Sequence, residues 1–376
     1  MDQTLLLLRK LVAINSVNPS LESGAAGESV IAEAIAAELR TIGLNVEVDE
    51  IEPGRPNVVG VLEGRSPGRS LMLCGHTDTV GVEGMRSPFV PIEQDGRLYG
   101  RGAQDMKGGL AAMIGAARNL VESGGLETGR LIVATVVDEE HSSLGAEAMV
   151  TRWHADAAVV TEPTELSIAV GHRGFVWIEI ETRGIAAHGS RPKDGRDAIV
   201  RMGRVLSKLE ELDRNLQARP PHPLMGTASL HASRIVGGRE PSVYPDRCVL
   251  ELERRTLKGE SEELVLQEIR DILVALLEED NEFEGSARLI FARPPYEIDP
   301  NHELPKVLAQ VLRGRWPVSV TGASFWTDAA VLGKAGIPCV LFGPGGAGLH
   351  SIEEYVNLAD VLTCRDTLSD LARMFC

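Results

Sequence analysis

The stretch 131-LIVATVVDEEHSSLG-145 joins an apolar, strand-like run directly to four ionisable side chains. Its β-branched residues favour a strand, and a short, continuously apolar strand is typical of a parallel sheet whose two faces are both covered. Asp138, Glu139, Glu140 and His141 follow at its carboxyl end, the edge of an open α/β sheet at which ligands bind. The stretch therefore predicts an α/β fold with a polar site at one edge of the sheet.

Apolar, strand-like runs alternate with helical periodicity over residues 1–173 and again after Pro294. The strand-like runs are 57–62, 70–75, 131–137, 157–161, 317–323 and 338–343. The helical stretches are 27–43, 107–124, 303–313 and the segment that starts at Leu358. Alternating strands and helices predict a mostly parallel sheet that is covered by helices on both faces.

Residues 175–293 follow a different pattern. The run 175-FVWIEIETRG-184 alternates apolar and polar residues, as a strand does when one face of its sheet meets solvent. The further strands and helices of this segment are predicted over 228–237, 247–255, 287–293, 194–213 and 261–278. We therefore predict an α/β domain, residues 1–174 and 294–376, that is interrupted by an α+β domain, residues 175–293.

The bulk composition excludes several classes of partner. A chain of 376 residues exceeds one ordinary core, and its formal net charge of −16 argues against nucleic acid or an anionic membrane as the main partner. No run reaches the length of about 20 apolar residues that a membrane span needs. The N-terminal leucines precede Arg9 and Lys10, as in an amphipathic helix and not an export signal. Scattered cysteines without a CxxC pair indicate a reduced, cytoplasmic protein.

Polar loops follow five of the predicted strands, at the sheet edge where ligands bind. Their candidate residues are His76, Asp78, Asp105, Glu139, Glu140, Glu162 and His350. Imidazole and carboxylate without thiolate suit Zn²⁺, Mn²⁺ or Co²⁺. Asp78 lies two residues after His76, so in an extended backbone both side chains project from one side. Asp78 is thus placed to hold the far ring nitrogen of His76.

Seven motifs in this order resemble one enzyme family. They are 75-GHTDTV-80, 100-GRGAQDMKGG-109, 138-DEE-140, 161-TEPT-164, 171-GHRG-174, 187-AHGSRP-192 and 342-FGPGGAGLH-350. The sequence is similar to the two-zinc deacylases and exopeptidases, which include acetylornithine deacetylase, succinyl-diaminopimelate desuccinylase, aminoacylase and the glutamate carboxypeptidases. The acetylornithine deacetylase-like members are the most similar. The resemblance implies a zinc-exopeptidase-like catalytic domain interrupted by a lid that also dimerises.

The resemblance also implies a dinuclear metal site. The ligands it implies are His76 and Glu162 on one metal, Glu140 and His350 on the other, and Asp105 bridging both. It implies Glu139 as the general base and Asp78 as the residue that orients His76. The adjacent His141 is expected to be a loop residue, because this ligand set is complete without it.

Three residues of the inserted domain receive roles from the same resemblance. His188 is implied to reach across a homodimer and stabilise the oxyanion, and Arg255 is implied to bind a substrate carboxylate. Ser242 stands where relatives commonly have an asparagine that faces the substrate, which weakens the transfer of any one relative's specificity. Strand alternation is expected to point Arg254 to solvent, although a shift of one residue in register would exchange it with Arg255.

The predicted function is hydrolysis of the amide bond of an N-acyl amino acid by a water activated between two metals, most simply zinc, with Co²⁺ or Mn²⁺ as alternatives. A metallo-carboxypeptidase or dipeptidase acting on short peptides remains the alternative, because it needs the same metals and the same arginine. A non-catalytic binding protein of this fold is disfavoured by the complete ligand set. The segment 343-GPGGAG-348 fits a dinucleotide-binding pattern, but too little chain follows it for a nucleotide-binding half.

Overall fold

The computed structural model describes residues 2–376. The chain forms two compact units. The first consists of the chain up to Gly171, Ile298–Thr321 and Thr327–Cys376. The second consists of His172–Glu297 and Gly322–Trp326. The domain bounds expected above stay a prediction.

The regular elements of the described residues are as follows. The helices are α1 (Gln3–Val12), α2 (Ser29–Ile42), α3 (Gly108–Glu122), α4 (Leu144–Met149), α5 (Ala198–Gln217), α6 (Glu262–Glu279), α7 (Glu303–Leu312), α8 (Ala329–Lys334) and α9 (Leu358–Phe375). The strands are β1 (Asn45–Glu52), β2 (Arg55–Glu63), β3 (Ser66–His76), β4 (Ile92–Gln94), β5 (Arg97–Tyr99), β6 (Thr128–Val136), β7 (Ala157–Val160), β8 (Ile168–His172), β9 (Gly174–Arg183), β10 (Ser229–Gly237), β11 (Arg247–Thr256), β12 (Glu284–Arg293), β13 (Tyr296–Glu297), β14 (Val320–Ala323), β15 (Cys339–Leu341), β16 (Gly346–Ala347) and β17 (Tyr355–Asn357). A π-helical turn, Ala103–Lys107, leads into α3.

The first unit is built on a mixed sheet with the strand order β1-β2-β6-β3-β7-β15-β8. The four central strands β6, β3, β7 and β15 are mutually parallel, whereas β1, β2 and β8 pair antiparallel to their neighbours. This confirms the predicted α/β class, with the parallel part confined to the centre of the sheet. The carboxyl ends of β6, β3 and β7 therefore lie side by side.

Helix α3 is the central helix of this unit, packed against α1, α9 and the sheet. Its side chains from Gly108 to Ala117 are buried, which the run of small residues permits. At Gly109 a Cβ atom would collide with the carbonyl oxygen of Thr161. The glycine thus lets α3 begin directly against the end of β7, next to Glu162. No helix of the described residues is long and apolar enough to cross a membrane.

A second, smaller sheet of the first unit has the order β16-β17-β5-β4. In it Tyr355 pairs with Tyr99 and Val356 pairs with Leu98, both antiparallel. Strand β5 leads into the loop of Asp105, and β17 follows the loop of His350. The pairing therefore ties together two loops that are far apart in sequence.

The second unit is an antiparallel sheet, β10-β11-β9-β12, with helices α5 and α6 packed on it. Each helix begins at a capping side chain: Asp197 accepts the N–H of Val200, and Ser261 accepts the N–H of Leu264. Strands β9 and β11 alternate buried and less buried residues, as predicted for 175–184, and the buried ones form a core with the helices. This confirms an α+β segment interrupting the α/β part of the chain.

The expectation that Arg254 faces solvent is wrong. Arg254 is fully buried, in phase with Leu250 and Leu252 on the helix-covered face of β11. Its guanidinium is paired with Glu260 at 2.7 Å and lies 3.5 Å from Glu268. The expectation treats the guanidinium of Arg254 as a charge that needs solvent, whereas Glu260 and Glu268 neutralise it inside the core.

Candidate metal centre

Three parallel strands bring their polar ends to one place in the first unit. His76 is the last residue of β3, Glu162 follows β7, and Asp138, Glu139 and Glu140 follow β6. Because these strands are neighbours, their carboxyl ends meet at one edge of the sheet, as the sequence predicted. His76 and Glu162 are buried there, with a distance of 3.9 Å between His76 Nε2 and Glu162 Oε1.

Asp105 lies between two histidine–glutamate pairs. Its Oδ1 is 3.0 Å from His76 Nε2, and its Oδ2 is 3.3 Å from His350 Nε2. His350 Nε2 is in turn 3.1 Å from Glu140 Oε2. One carboxylate thus presents a different oxygen to each of two sets, His76 with Glu162 and His350 with Glu140. The peptide bond that follows Asp105 is cis.

Glu139 and Glu140 are held by the same carboxylate. Asp78 accepts the backbone N–H of Glu139 at 3.2 Å and that of Glu140 at 3.1 Å. Potential ligand atoms of His76, Glu139 and Glu162 lie within 4.8 Å of one another, as do those of His76, Asp105 and Glu140. Proximity alone therefore does not distinguish a metal ligand from a proton carrier among the two glutamates.

The contact between Asp78 and His76 runs mainly through the backbone. His76 Nδ1 is 3.0 Å from the carbonyl oxygen of Asp78, whereas the carboxylate oxygen is 3.6 Å away. The side chain of Asp78 instead accepts the two N–H groups of the glutamate turn and the amide of Asn18 at 2.8 Å. Asp78 therefore links the histidine to the turn that carries Glu139.

A buried network behind this turn was not predicted from the sequence. Asn18 bridges Asp78 and Asp138 with its amide nitrogen, at 2.8 and 3.1 Å. Arg55 binds Asp138 at 2.8 Å and also pairs with Glu28. Asp138 has a positive φ of 68°, a conformation that this polar cage keeps in place. The only sequence signal was the position of Asp138 in the motif 138-DEE-140.

The electrostatics of the cluster are those of crowded carboxylates. Burial raises the pKa values of the Glu139 and Glu162 carboxyls well above their ordinary range. Neighbouring carboxylates raise these pKa values further, whereas the charge of His76 lowers them. Hydrogen bonds to Asp105 and Glu140 raise the pKa of His350 to about 10. The pKa of Asp105 is lowered in spite of its burial, because His350 and His76 both contact it.

The residues fit a centre for divalent metals. The donors are imidazole nitrogens and carboxylate oxygens, the set that Zn²⁺, Mn²⁺ and Co²⁺ accept. Buried carboxylates that raise one another's pKa lack compensating positive charge, which cations would supply. Oε1 of Glu140 is buried with no hydrogen-bond partner among the described residues. His141 is outside these groups, half exposed and 4.0 Å from Asp138.

Three predicted site residues lie in the second unit. His188 is exposed, and its Nδ1 is 2.8 Å from the hydroxyl of Ser190. Ser242 is also exposed, and its carbonyl oxygen accepts the N–H of Gly189 at 2.7 Å, so the loops of His188 and Ser242 are adjacent. Arg255 is partly exposed, binds Glu253 through Nε at 2.6 Å and lies over the ring of Phe175.

Most of the sequence matches one protein family. The family described as peptidase family M20/M25/M40 matches residues 72–374, a span that includes all of the proposed metal ligands. The chain belongs to this family. The resemblance on which the sequence prediction was built is thereby confirmed.

Two curated relatives are similar to this M20 chain over most of their length. The N-formyl-4-amino-5-aminomethyl-2-methylpyrimidine deformylase of Bacillus subtilis (strain 168) is 32% identical over 379 residues, covering 91% of this chain and 88% of the relative. The acetylornithine deacetylase of Myxococcus xanthus is 31% identical over 356 residues, covering 90% of each. The M20 chain is therefore a metal-dependent hydrolase that acts on amide bonds.

Solved structures share the fold of the M20 chain. A tripeptidase from Staphylococcus aureus has a TM-score of 0.83 at 21% identity and covers 99% of this chain and 98% of its own. A dinuclear metal-binding M20 peptidase from Bacillus subtilis has a TM-score of 0.76 at 17% identity, with 99% and 97% covered. At these identities the likeness shows the fold alone.

Proposed function

We propose that this M20 hydrolase is a two-metal deacylase that removes a short acyl group from an N-acyl amino acid. The observation that carries the proposal is the placement of Asp105, whose two oxygens face the two separate histidine–glutamate pairs. On this proposal His76 and Glu162 would hold one metal, His350 and Glu140 would hold the other, and Asp105 would bind both. The physiological metal is proposed to be zinc, because imidazole and carboxylate donors suit it.

Glu139 is the proton carrier of the proposed mechanism. It accepts a proton from the attacking water and delivers it to the leaving nitrogen. Asp78 holds the turn of Glu139 by accepting its N–H. Two divalent metals bound at this centre would lower the pKa of water and polarise the scissile carbonyl.

The second unit is proposed to supply the remaining groups. His188 stabilises the developing oxyanion as a residue of the partner protomer, and Arg255 binds the substrate carboxylate with its planar guanidinium. The exposure of both side chains leaves them accessible. Ser242, on the loop next to His188, is proposed to contact the substrate.

A deacylase is favoured over the alternative peptidase by the relatives. The two curated relatives named above are, by name, enzymes that remove a one- or two-carbon acyl group. The peptidases among the solved structures are less than 25% identical and support only the fold. The equal similarity to the deformylase makes the N-formyl group of an aminomethylpyrimidine a second candidate substrate, in which no carboxylate would meet Arg255.

A homodimer and a cytoplasmic location complete the proposal. Strand β10 is an edge of its sheet, and its Ile235 and Val236 are exposed, as are Ile199 and Val200 at the start of α5. An apolar sheet edge of this kind is a surface on which a second copy pairs. None of the five cysteines forms a disulfide bond in the described residues, which suits a reducing compartment.

The test is a substrate panel on protein that has been stripped with a chelator and reloaded with Zn²⁺, Co²⁺ or Mn²⁺. The panel contains N-acetyl amino acids, their α-amides, dipeptides and the N-formyl aminomethylpyrimidine, with release of the free amine as the readout. We expect activity only after metal is restored, the highest kcat/KM on an N-acetyl amino acid, and slower turnover of the α-amides. Preference for dipeptides would establish the peptidase instead, and preference for the formyl compound would establish the deformylase.

A further inference from the structure

A buried carboxylate outside the predicted ligand set binds the loop that carries Asp105. Glu354 is 1% exposed. Its Oε2 accepts the N–H of Gly102 at 2.9 Å and Nη1 of Arg101 at 2.7 Å. Its Oε1 accepts the N–H groups of Gln104 at 2.9 Å and Asp105 at 3.1 Å. Every hydrogen bond that this carboxylate accepts from the described residues thus comes from the segment from Arg101 to Asp105.

Glu354 belongs to the segment that carries the other predicted ligand, His350. It precedes β17, whose Tyr355 pairs with Tyr99 of β5. Its carbonyl oxygen accepts the N–H of Gly100 at 3.1 Å, and Arg101 donates to the carbonyl oxygen of Ser351 at 3.1 Å. The two loops are therefore connected by hydrogen bonds of both backbone and side-chain atoms.

Burying the charged carboxylate of Glu354 costs free energy, and this cost is offset only if the charge has a structural or functional role. Burial raises the pKa of the Glu354 carboxyl, and the N–H groups of Asp105 and Gly102 act against that effect together with Arg101. A buried ion pair adds little stability over apolar residues of the same shape. Apolar side chains, however, leave the N–H groups of the Asp105 loop without acceptors, which costs free energy in a buried site.

We propose that Glu354 is a positioning residue of the metal centre, which holds the backbone of Asp105 so that its two oxygens face His76 and His350. The inference rests on the proposed metal-ligand role of Asp105. Glu354 touches neither substrate nor metal in this role. Its effect passes through the backbone N–H of Asp105 and through the loop that carries His350.

Glutamine is the informative substitution at this position. It keeps the shape of the side chain, but one of its two terminal atoms is an NH₂ group, a donor. Both terminal oxygens of Glu354 accept hydrogen bonds from N–H donors. In Glu354→Gln the NH₂ group replaces one of these oxygens, so it faces N–H donors from which it cannot accept a hydrogen bond. Glu353, the adjacent exposed glutamate, provides the matched control Glu353→Gln.

The experiment measures Co²⁺ affinity by titrating metal-free protein and following the visible absorption of the bound ion. We expect Glu354→Gln to bind Co²⁺ about 10- to 100-fold more weakly than the wild-type protein, the usual loss when a residue that supports a ligand is changed. Glu353→Gln should bind as the wild type does. If Glu354→Gln and Glu353→Gln bind equally well, Glu354 does not position the centre.

A second variant separates positioning from stability. Glu354→Gln leaves the guanidinium of Arg101 buried without its partner and lowers the thermal midpoint for that reason alone. In Arg101→Gln/Glu354→Gln no unpaired charge remains, so the midpoint should recover while Co²⁺ affinity stays low. Recovery of both together would overturn the inference, because stability alone would then explain the loss.

A reference variant tests the proposed ligand set independently. Asp105→Asn should lose affinity for Co²⁺ by at least as much as Glu354→Gln does. If Asp105→Asn binds Co²⁺ as tightly as the wild type, the bridging role of Asp105 and the proposed function fail. If Asp105→Asn loses affinity but Glu354→Gln does not, only the inference about Glu354 fails.

Discussion

At the scale of single residues, the turn after β6 separates neighbours that the sequence presents as equivalent. Glu139 and Glu140 both donate their N–H groups to Asp78, and both side chains lie near His76. They differ in their other neighbours, since Glu140 contacts His350 whereas Glu139 groups with Glu162. We therefore expect substitution of Glu139 and substitution of Glu140 to affect turnover and metal content differently.

We expect Glu139→Gln to keep both metals and lose turnover by a factor of about 10² to 10⁴, the usual contribution of a positioned acid–base group. Glu140→Gln should lose or weaken one metal, because it removes an anionic donor next to His350. Metal content by elemental analysis and initial rates of deacylation measure the two effects in parallel. Release of metal from Glu139→Gln would show that the two roles are assigned the wrong way round.

At the scale of elements, strand β11 carries two adjacent arginines with opposite environments. Arg255 lies on the less buried face, whereas Arg254 points into the core beneath α5 and α6 and is paired with Glu260. Glu260 also accepts the N–H of Leu257 at 2.9 Å, so the pair ties the end of β11 to the start of α6. The burial of Arg254 thus anchors the strand from which Arg255 projects.

We expect Arg254→Met to lower the free energy of unfolding of the second unit by about 3 kcal/mol, because it leaves the partly buried carboxylates of Glu260 and Glu268 with only the longer contacts to Arg219, at 3.6 and 3.7 Å. Urea denaturation followed by tryptophan fluorescence measures the change, since Trp177 lies on the neighbouring strand β9. Arg270→Met, at an exposed position of α6, is the control and should change the value little. Equal effects of both substitutions would contradict the anchoring role.

At the scale of the whole molecule, the proposed dimer decides whether the active site is complete within one chain. The exposed apolar side chains Ile199, Val200, Ile235 and Val236 lie at the start of α5 and on the edge strand β10, where a second copy is proposed to pair. If His188 acts in the partner's site, a chain that lacks Glu139 still supplies His188, and a chain that lacks His188 still supplies Glu139. Two inactive variants would then restore each other in a mixed dimer.

We expect His188→Ala and Glu139→Gln, each nearly inactive alone, to regain about a quarter of the wild-type activity when they are unfolded and refolded together in equal amounts. Random pairing makes about half of the dimers mixed, and one site in each mixed dimer has both groups intact. His188→Ala should keep its metal content. The control introduces Val236→Lys into both variants, which charges the exposed edge and should abolish the recovery. Full activity of His188→Ala alone would exclude the role.

Much of the candidate site follows from local sequence because its residues sit at strand ends. The apolar runs before His76, Glu139 and Glu162 identify three strands, and the parallel order of β3, β6 and β7 then brings the residues after them together. The supporting residues Asn18, Arg55 and Glu354 were missed. The partners named above for their side chains lie 27 to 253 residues away in the chain, so no local spacing indicates the contact.

The sequence by itself determined the fold class, the inserted α+β segment and the group of acids and histidines that suits two metals, because hydrophobic periodicity and residue chemistry are local properties. Only the tertiary structure decided which oxygen of Asp105 faces which histidine, that Asp78 holds the glutamate turn by its N–H groups, and that Arg254 is buried. The physical reason is the same in each case. These outcomes depend on the satisfaction of buried charges and N–H groups by partners that are distant in sequence, which only the folded chain brings within hydrogen-bond distance.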